Sequence, residues 1–154
     1  MRLLLVLGLL LSLAPSHALA QSAEDPVETV RAFYAKDNIR AYGFYSKRLK
    51  GLFVHDDKEA KKRGDGLGSI DFAFYVNGQD TEEGWQKTLH LELLSRNDKR
   101  AEVKATFKNF TQQDLRYSLV LEKGRWLIDD VRSTGENSWQ LSKLFEPAGA
   151  GGSP

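Results

Sequence analysis

Between Asp71 and Asp80 the chain sets two carboxylates, the phenol of Tyr75 and the amides of Asn77 and Gln79 among Phe72 and Phe74. A carboxylate held in an apolar, aromatic-lined pocket loses hydration, its pKa rises, and it becomes able to work as a general acid or base. The same short acidic side chains also cap turns by accepting backbone N–H bonds, which is structural work. Both readings stand at this point. A third use of the segment is binding: Phe72, Phe74 and Tyr75, with Asn77 and Gln79 as polar partners, have the composition of an adaptable ligand pocket.

Three other groups have types that could do chemistry. His90 lies on the polar phase of its segment with Glu92 on the same side, an arrangement for a general base if buried and for a solvated pair if not. Asp129 and Asp130 are adjacent in a strand-like run, so they face opposite sides and one must point inward. That makes Asp129 and its neighbour the best place to expect a buried carboxylate, which would serve catalysis or bond a loop backbone or a nearby Arg. His55, Asp56, Asp57 and Glu59 are metal-ligand types, but they lack calcium-loop spacing, and a helix cap at Asp56 with Glu59 accounts for them; no metal and no cofactor is expected. The glycines of residues 64–69 lack the Gly-Lys-Ser/Thr ending of a phosphate cradle and read as a loop. The basic run at residues 58–63 reads as a solvated helix face.

Elements must position these groups. Asp25 as N-cap, Pro26 at the first helical position and Glu28 three residues after the cap open a helix, with Val27, Val30, Phe33 and Tyr34 on one face and an end at Asp37-Asn38. A second amphipathic stretch runs through Tyr45, Leu49 and Phe53, broken at residues 55–57, and a short third helix reaches Lys62. Residues 70–76 read as a short aromatic strand. From Leu89 the period becomes two: Leu89, Leu91, Leu93; then Ala101, Val103, Ala105, Phe107; then Leu115, Tyr117, Leu119, Leu121; then residues 126–131. One dry and one wet face, with short turns between, predict an antiparallel meander. Residues 138–145 close with a helical turn or two. The fold class is α+β, with N-terminal helices packed on one face of a curved sheet of about four long strands; strong curvature would make it a cone with an internal pocket.

Charge and leader bound the setting. The chain has 154 residues and no cysteine, with 22 Lys and Arg against 21 Asp and Glu. Arg2 and the apolar run at residues 3–13 precede Ala18-Leu19-Ala20, the small-x-small pattern of a signal peptidase site, so the cut falls after Ala20 and leaves Gln21 first. The apolar run is about half the ~20 residues needed to span a bilayer. A chain starting at Gln21 balances its charges, which argues against nucleic acid or an anionic membrane as the obvious partner, and no cysteine is present for lipid attachment. The expected organisation is a signal peptide at 1–20, a flexible start at 21–24, one domain at 25–146 and a disordered tail at 147–154. The location is periplasmic or secreted, without a membrane anchor.

The opening helix at residues 26–34, the segment at 45–49, the run from Ile70-Asp71-Phe72 to Gln79-Asp80 and the closing string at 124–131 resemble the nuclear transport factor 2-like superfamily of α+β cones. More closely they resemble a family of exported bacterial proteins, domain of unknown function family 3828. The resemblance implies a cone fold and a bacterial exported compartment, in which the Asn109-Phe110-Thr111 sequon has no glycan to receive. Enzymes of the superfamily use Asp, Tyr and His groups inside the cone, which would give Asp71, Asp80, Asp129 and His90 catalytic roles. The leading expectation is instead a non-catalytic binding module for a protein partner or a small apolar ligand, in the manner of immunity proteins or inhibitors. A homodimer through the outer sheet face is a further alternative, opposed by the charges of Glu92, Lys104 and Glu122 on that face.

Overall fold

Asp25 begins α1 (Pro26–Tyr34) by accepting the Val27 N–H at 2.8 Å, with Pro26 at the start of the helix. Glu28 does not complete a capping box; it pairs with Arg31 at 3.1 Å on the exposed side. The computed structural model describes residues 25–64, 68–135 and 137–146. The expected leader with its expected cut at Ala18, Ala20 and Gln21, the expected flexible start at 21–24 and disordered tail at 147–154, and residues 65–67 of the expected loop lie outside them.

The helix α2 (Lys47–Arg63) starts at Ser46, whose hydroxyl accepts the Leu49 N–H at 3.0 Å, and stops at Gly64 in the left-handed region, φ 78°. It runs straight through residues 55–57, where a break was expected. No proline or glycine sits there to cost helix, and the two aspartates point outward. Asp56 accepts from the Ser69 N–H and hydroxyl at 2.7 and 2.6 Å; Asp57 accepts from Arg40 and Tyr42 at 2.9 and 3.0 Å. They tie neighbouring loops to a continuous helix. Leu49, Phe53 and Ala60 form its buried stripe.

The expected strand at 70–76 is a tight loop instead. Ala73 bridges Gly78, a single 3-10 turn spans Phe74–Val76, and Asn77 takes a left-handed conformation at φ 53°. Phe74, Tyr75 and Val76 are all buried, which a strand of alternating facing could not achieve over three consecutive residues.

The sheet has the order β1 (His90–Arg96), β2 (Arg100–Asn109), β3 (Thr111–Glu122), β4 (Arg125–Ser133), each antiparallel to the next. Its inward phase supplies Val103, Ala105, Phe107, Leu115, Tyr117, Leu119, Trp126 and Ile128 to a core shared with Val30, Phe33, Leu49 and Phe53 from the helices. Phe33 sits at the centre, stacked on Phe74 at 5.9 Å and edge-on to Tyr117 at 6.2 Å. The fold is therefore α+β, helices on one face of a four-stranded antiparallel sheet. In β1 the alternation fails to bury Leu93, which stays 43% exposed while Leu91 packs against the core. A short helix, α3 (Leu141–Leu144), returns to β4 through a bridge between Gln140 and Arg132.

Candidate functional site

The first turn after α1 and the loop before the 3-10 turn face each other across an open recess of about 590 Å³. Residues 37–39 form one wall; Ile70, Asp71, Phe72, Ala73, Tyr75 and Gln79 form the rest. Asp37 has φ 48°, a conformation that aspartate tolerates better than most side chains, and this turns its carboxylate toward Tyr75. The Tyr75 hydroxyl donates to Asp37. Burial, and then this acidic neighbour, push the Tyr75 phenol well above its ordinary pKa, so it stays protonated and acts as a hydrogen-bond donor. Ile39 is fixed from beneath, its carbonyl accepting the Tyr45 hydroxyl at 2.5 Å.

Asp71 and Gln79 are exposed at the rim, Phe72 is half-buried and Ile70 is buried. Phe72 is braced edge-on by Trp139, 5.4 Å away at 78°, and Trp139 donates its indole N–H to Asn77 Oδ1 at 2.7 Å. The recess therefore pairs an apolar wall with a carboxylate and amides at the mouth, a combination that binds a group with both an apolar face and hydrogen-bond donors. Four of the sequence candidates meet here: Asp71, Phe72, Tyr75 and Gln79.

The others lie elsewhere. Phe74 is fully buried in the core. Asn77 is engaged on both sides, donating to Gln113 at 2.8 Å while accepting from Trp139. Asp80 is exposed, and its main-chain carbonyl accepts from Asn109 at 3.1 Å. His90 is exposed opposite Thr106 at the start of β1, with Glu92 opposite Lys104.

Asp129 is the extra residue of a bulge. β4 shifts register here, Ser118 pairing with Asp130 and Leu119 with Ile128. Its carboxylate accepts from Ser46 Oγ at 2.6 Å and from Arg48 Nε at 3.1 and 3.2 Å. The buried carboxylate is its neighbour Asp130, which accepts from Gln140 Nε2 at 2.6 Å and from the Ser142 N–H and hydroxyl at 3.0 and 2.6 Å. Both acids latch helices to the strand. Asp56 and Asp57, proposed above as cap or metal-ligand types, are likewise committed to Ser69, Arg40 and Tyr42, while His55 is exposed.

Sequence reasoning missed residues 37–39 as part of the recess, because Asp37-Asn38 carried only the signal of a helix end. Arg48 and Ser46 were likewise invisible: nothing in the sequence links them to an aspartate some eighty residues on, at the bulge.

No family model and no curated protein matches this chain. Among solved structures, a phospholipid-binding protein from Ralstonia solanacearum, in complex with a phospholipid, is similar over 82% of this chain and 75% of its own, at 14% identity and a TM-score of 0.34.

Proposed function

We propose that the protein is an exported, non-catalytic binding module of the nuclear transport factor 2-like type, related to family 3828, that offers the Asp71 recess to a protein partner or a small apolar molecule. The observation that carries this reading is the convergence of Asp71, Phe72, Tyr75 and Gln79 on one open recess. Openness favours a protruding loop of a protein partner over a small molecule, since small ligands are usually enclosed over most of their surface. An acid–base mechanism would need two titratable groups around one enclosed point. Asp37, Asp71 and Tyr75 line one recess, but it is open rather than enclosed, and Asp80, His90 and Asp129 stand apart from it, so the arrangement meets that requirement only in part. Exported location rests on the leader pattern at residues 1–20. On the outer sheet face, Lys104 and Arg116 pair with Asp114 at 3.6 and 2.9 Å, and Arg132 pairs with Glu102 at 2.6 Å. A face whose charges are already matched internally offers little to a second copy.

The test is capture from periplasmic extract, with native mass spectrometry of the purified protein. A specific partner or ligand is expected, retained by wild type and lost by Asp71→Arg and Phe72→Ala. Absence of any specific partner and of any bound molecule, or a partner indifferent to both substitutions, would sink the proposal.

A further inference from the structure

The end of the sheet that carries the β1–β2 and β3–β4 turns has a chemistry of its own. The first turn supplies Arg96, Lys99 and Arg100, the second Lys123 and Arg125. The two turns are neighbours: the Leu121 N–H donates to the Lys99 carbonyl at 2.9 Å, and the backbone of Glu122 stands in register with that of Arg125 across the second hairpin. Among the described residues none of these five cations is ion-paired, whereas Arg31, Arg40, Arg48, Arg116 and Arg132 all are. The acids at this end are Asp98 and Glu122, so five cations against two anions leave three net positive charges in one place.

The same end exposes apolar surface. Leu93, Leu94 and Leu121 are 43%, 38% and 39% exposed. The helix layer touches this end at its margin, where the Lys47 N–H donates to the Glu122 carboxylate at 3.2 Å, Arg125 Nη2 to the Gly43 carbonyl at 3.4 Å and the Thr29 hydroxyl to the Trp126 carbonyl at 3.4 Å. Beyond these contacts lies an open recess of about 610 Å³ lined by Leu121, Trp126 and Arg96, with the Arg96 guanidinium 5.2 Å from the Trp126 ring centroid.

We propose that this end of the sheet docks on a bilayer surface containing anionic phospholipid. Cations without carboxylate partners complement lipid phosphates, and exposed leucines beside them gain by entering the acyl boundary. Turns at the extremity of a sheet let a flat surface reach both kinds of group together. A nucleic acid would use the charge but not the leucines, and the aromatic face it would stack on is covered, since Trp126 is 2% exposed beneath Arg96. The balanced charge of the whole chain hides this local excess, which acts only within about a Debye length of the surface. The docking end shares no residue with the Asp71 recess, so either proposal can fail without the other.

The experiment uses protein recovered from an exporting host, its N-terminus read by mass spectrometry so that no apolar leader remains. It is sedimented with vesicles of phosphatidylglycerol and phosphatidylcholine mixed, or of phosphatidylcholine alone. Binding to the anionic vesicles is expected, falling as salt is raised, with little binding to the neutral ones. The double variant Lys99→Glu/Lys123→Glu should bind at least about 10-fold more weakly. Leu94→Ser and Leu121→Ser, checked for unchanged circular dichroism, should each weaken binding to the same vesicles. The double variant Lys36→Glu/Lys58→Glu, with equal charge change in the helical layer (on the turn after α1 and on α2), should bind as wild type. No preference for the anionic vesicles, an equal loss in the helix variant, or full binding after both leucine substitutions would overturn the proposal.

Discussion

Arg48 and Asp129 grip each other at the point where β4 changes register. The guanidinium donates through Nε to both carboxylate oxygens at 3.1 and 3.2 Å and through Nη2 to Oδ2 at 3.1 Å and to the Asp129 main-chain carbonyl. Ser46, which caps α2, donates to the same carboxylate at 2.6 Å. One side chain thus fixes the start of a helix, its second residue and the strand bulge. Asp129→Ala should lower stability by about 2 kcal/mol, because it strips acceptors from a charged and a buried donor at once. Arg48→Ala should cost less, about 1 kcal/mol, as the guanidinium is half exposed. Thermal or urea unfolding of the two variants reads the difference, and an equal cost would contradict it.

Asp130 should matter locally. Its carboxylate holds Ser142 and Gln140, and through them keeps Leu141 fully buried. Asp130→Ala should cost about 2–3 kcal/mol and speed amide hydrogen exchange over α3 far more than over β2 and β3. Uniform acceleration across the chain would show that α3 is not the element it secures.

Buried Tyr34 and Tyr117 behave in the opposite way. Their rings lie 5.8 Å apart, and burial drives both phenols well above their ordinary pKa. The neighbouring hydroxyls add a smaller effect, lowering the pKa of Tyr34 and raising that of Tyr117, yet among the described residues neither hydroxyl has a partner at hydrogen-bonding geometry. Tyr117→Phe should therefore be neutral or stabilise by up to about 1 kcal/mol, since a desolvated hydroxyl is removed and no bond is lost. A loss above that size on chemical unfolding would reveal a bond that the geometry does not contain.

Acid should loosen the loop ahead of α2 before it unfolds the core. Arg40, hydrogen-bonded to Asp57, holds that carboxyl below its ordinary value of 3.8 against the opposing cost of burial, and Tyr42 adds to the lowering. A folded-state pKa below the unfolded one gives stability that is present above the unfolded value and lost as pH falls through the folded one. Stability measured from pH 6 down to pH 2 should fall less steeply below about pH 4 in Asp57→Asn than in wild type. Parallel curves would show that the pair contributes nothing.

Asn109 sits inside the sequon, but its side chain is buried and fully used. It donates to the carbonyls of Val76 and Asp80, both at 3.1 Å, and accepts the Glu82 N–H at 2.8 Å. Asn109→Ala should cost about 2–3 kcal/mol, from orphaning two carbonyls and an N–H. Urea unfolding measures it, and a cost under 1 kcal/mol would mean that water replaces the amide.

Period-two patterning was legible because each strand of the meander buries one face and pairs with its sequence neighbour. The α1 start was legible because Asp25 and Pro26 act within one turn. The misreadings have a common cause. Residues 55–57 looked like a break because aspartates favour caps, but their side chains found distant partners in Arg40, Tyr42 and Ser69. Residues 70–76 looked like a strand because aromatics favour sheets, whereas all of residues 74–76 are drawn into one core by Phe33 and Asn77 turns the chain away. Half of the recess was legible for the same reason: Asp71, Phe72, Tyr75 and Gln79 are close in sequence, and the wall at residues 37–39 is not.

The meander also sets an order of assembly. Every strand pairs with the next one along, so each hairpin can close as soon as its second half exists. The helical layer has no such autonomy. Thr29 reaches Trp126, and Ser46 and Arg48 reach Asp129, ninety-seven, eighty-three and eighty-one residues downstream. α1 and α2 thus precede in the chain the surface they lie on by eighty residues or more, and their packing cannot be completed until nearly the whole chain is available to them.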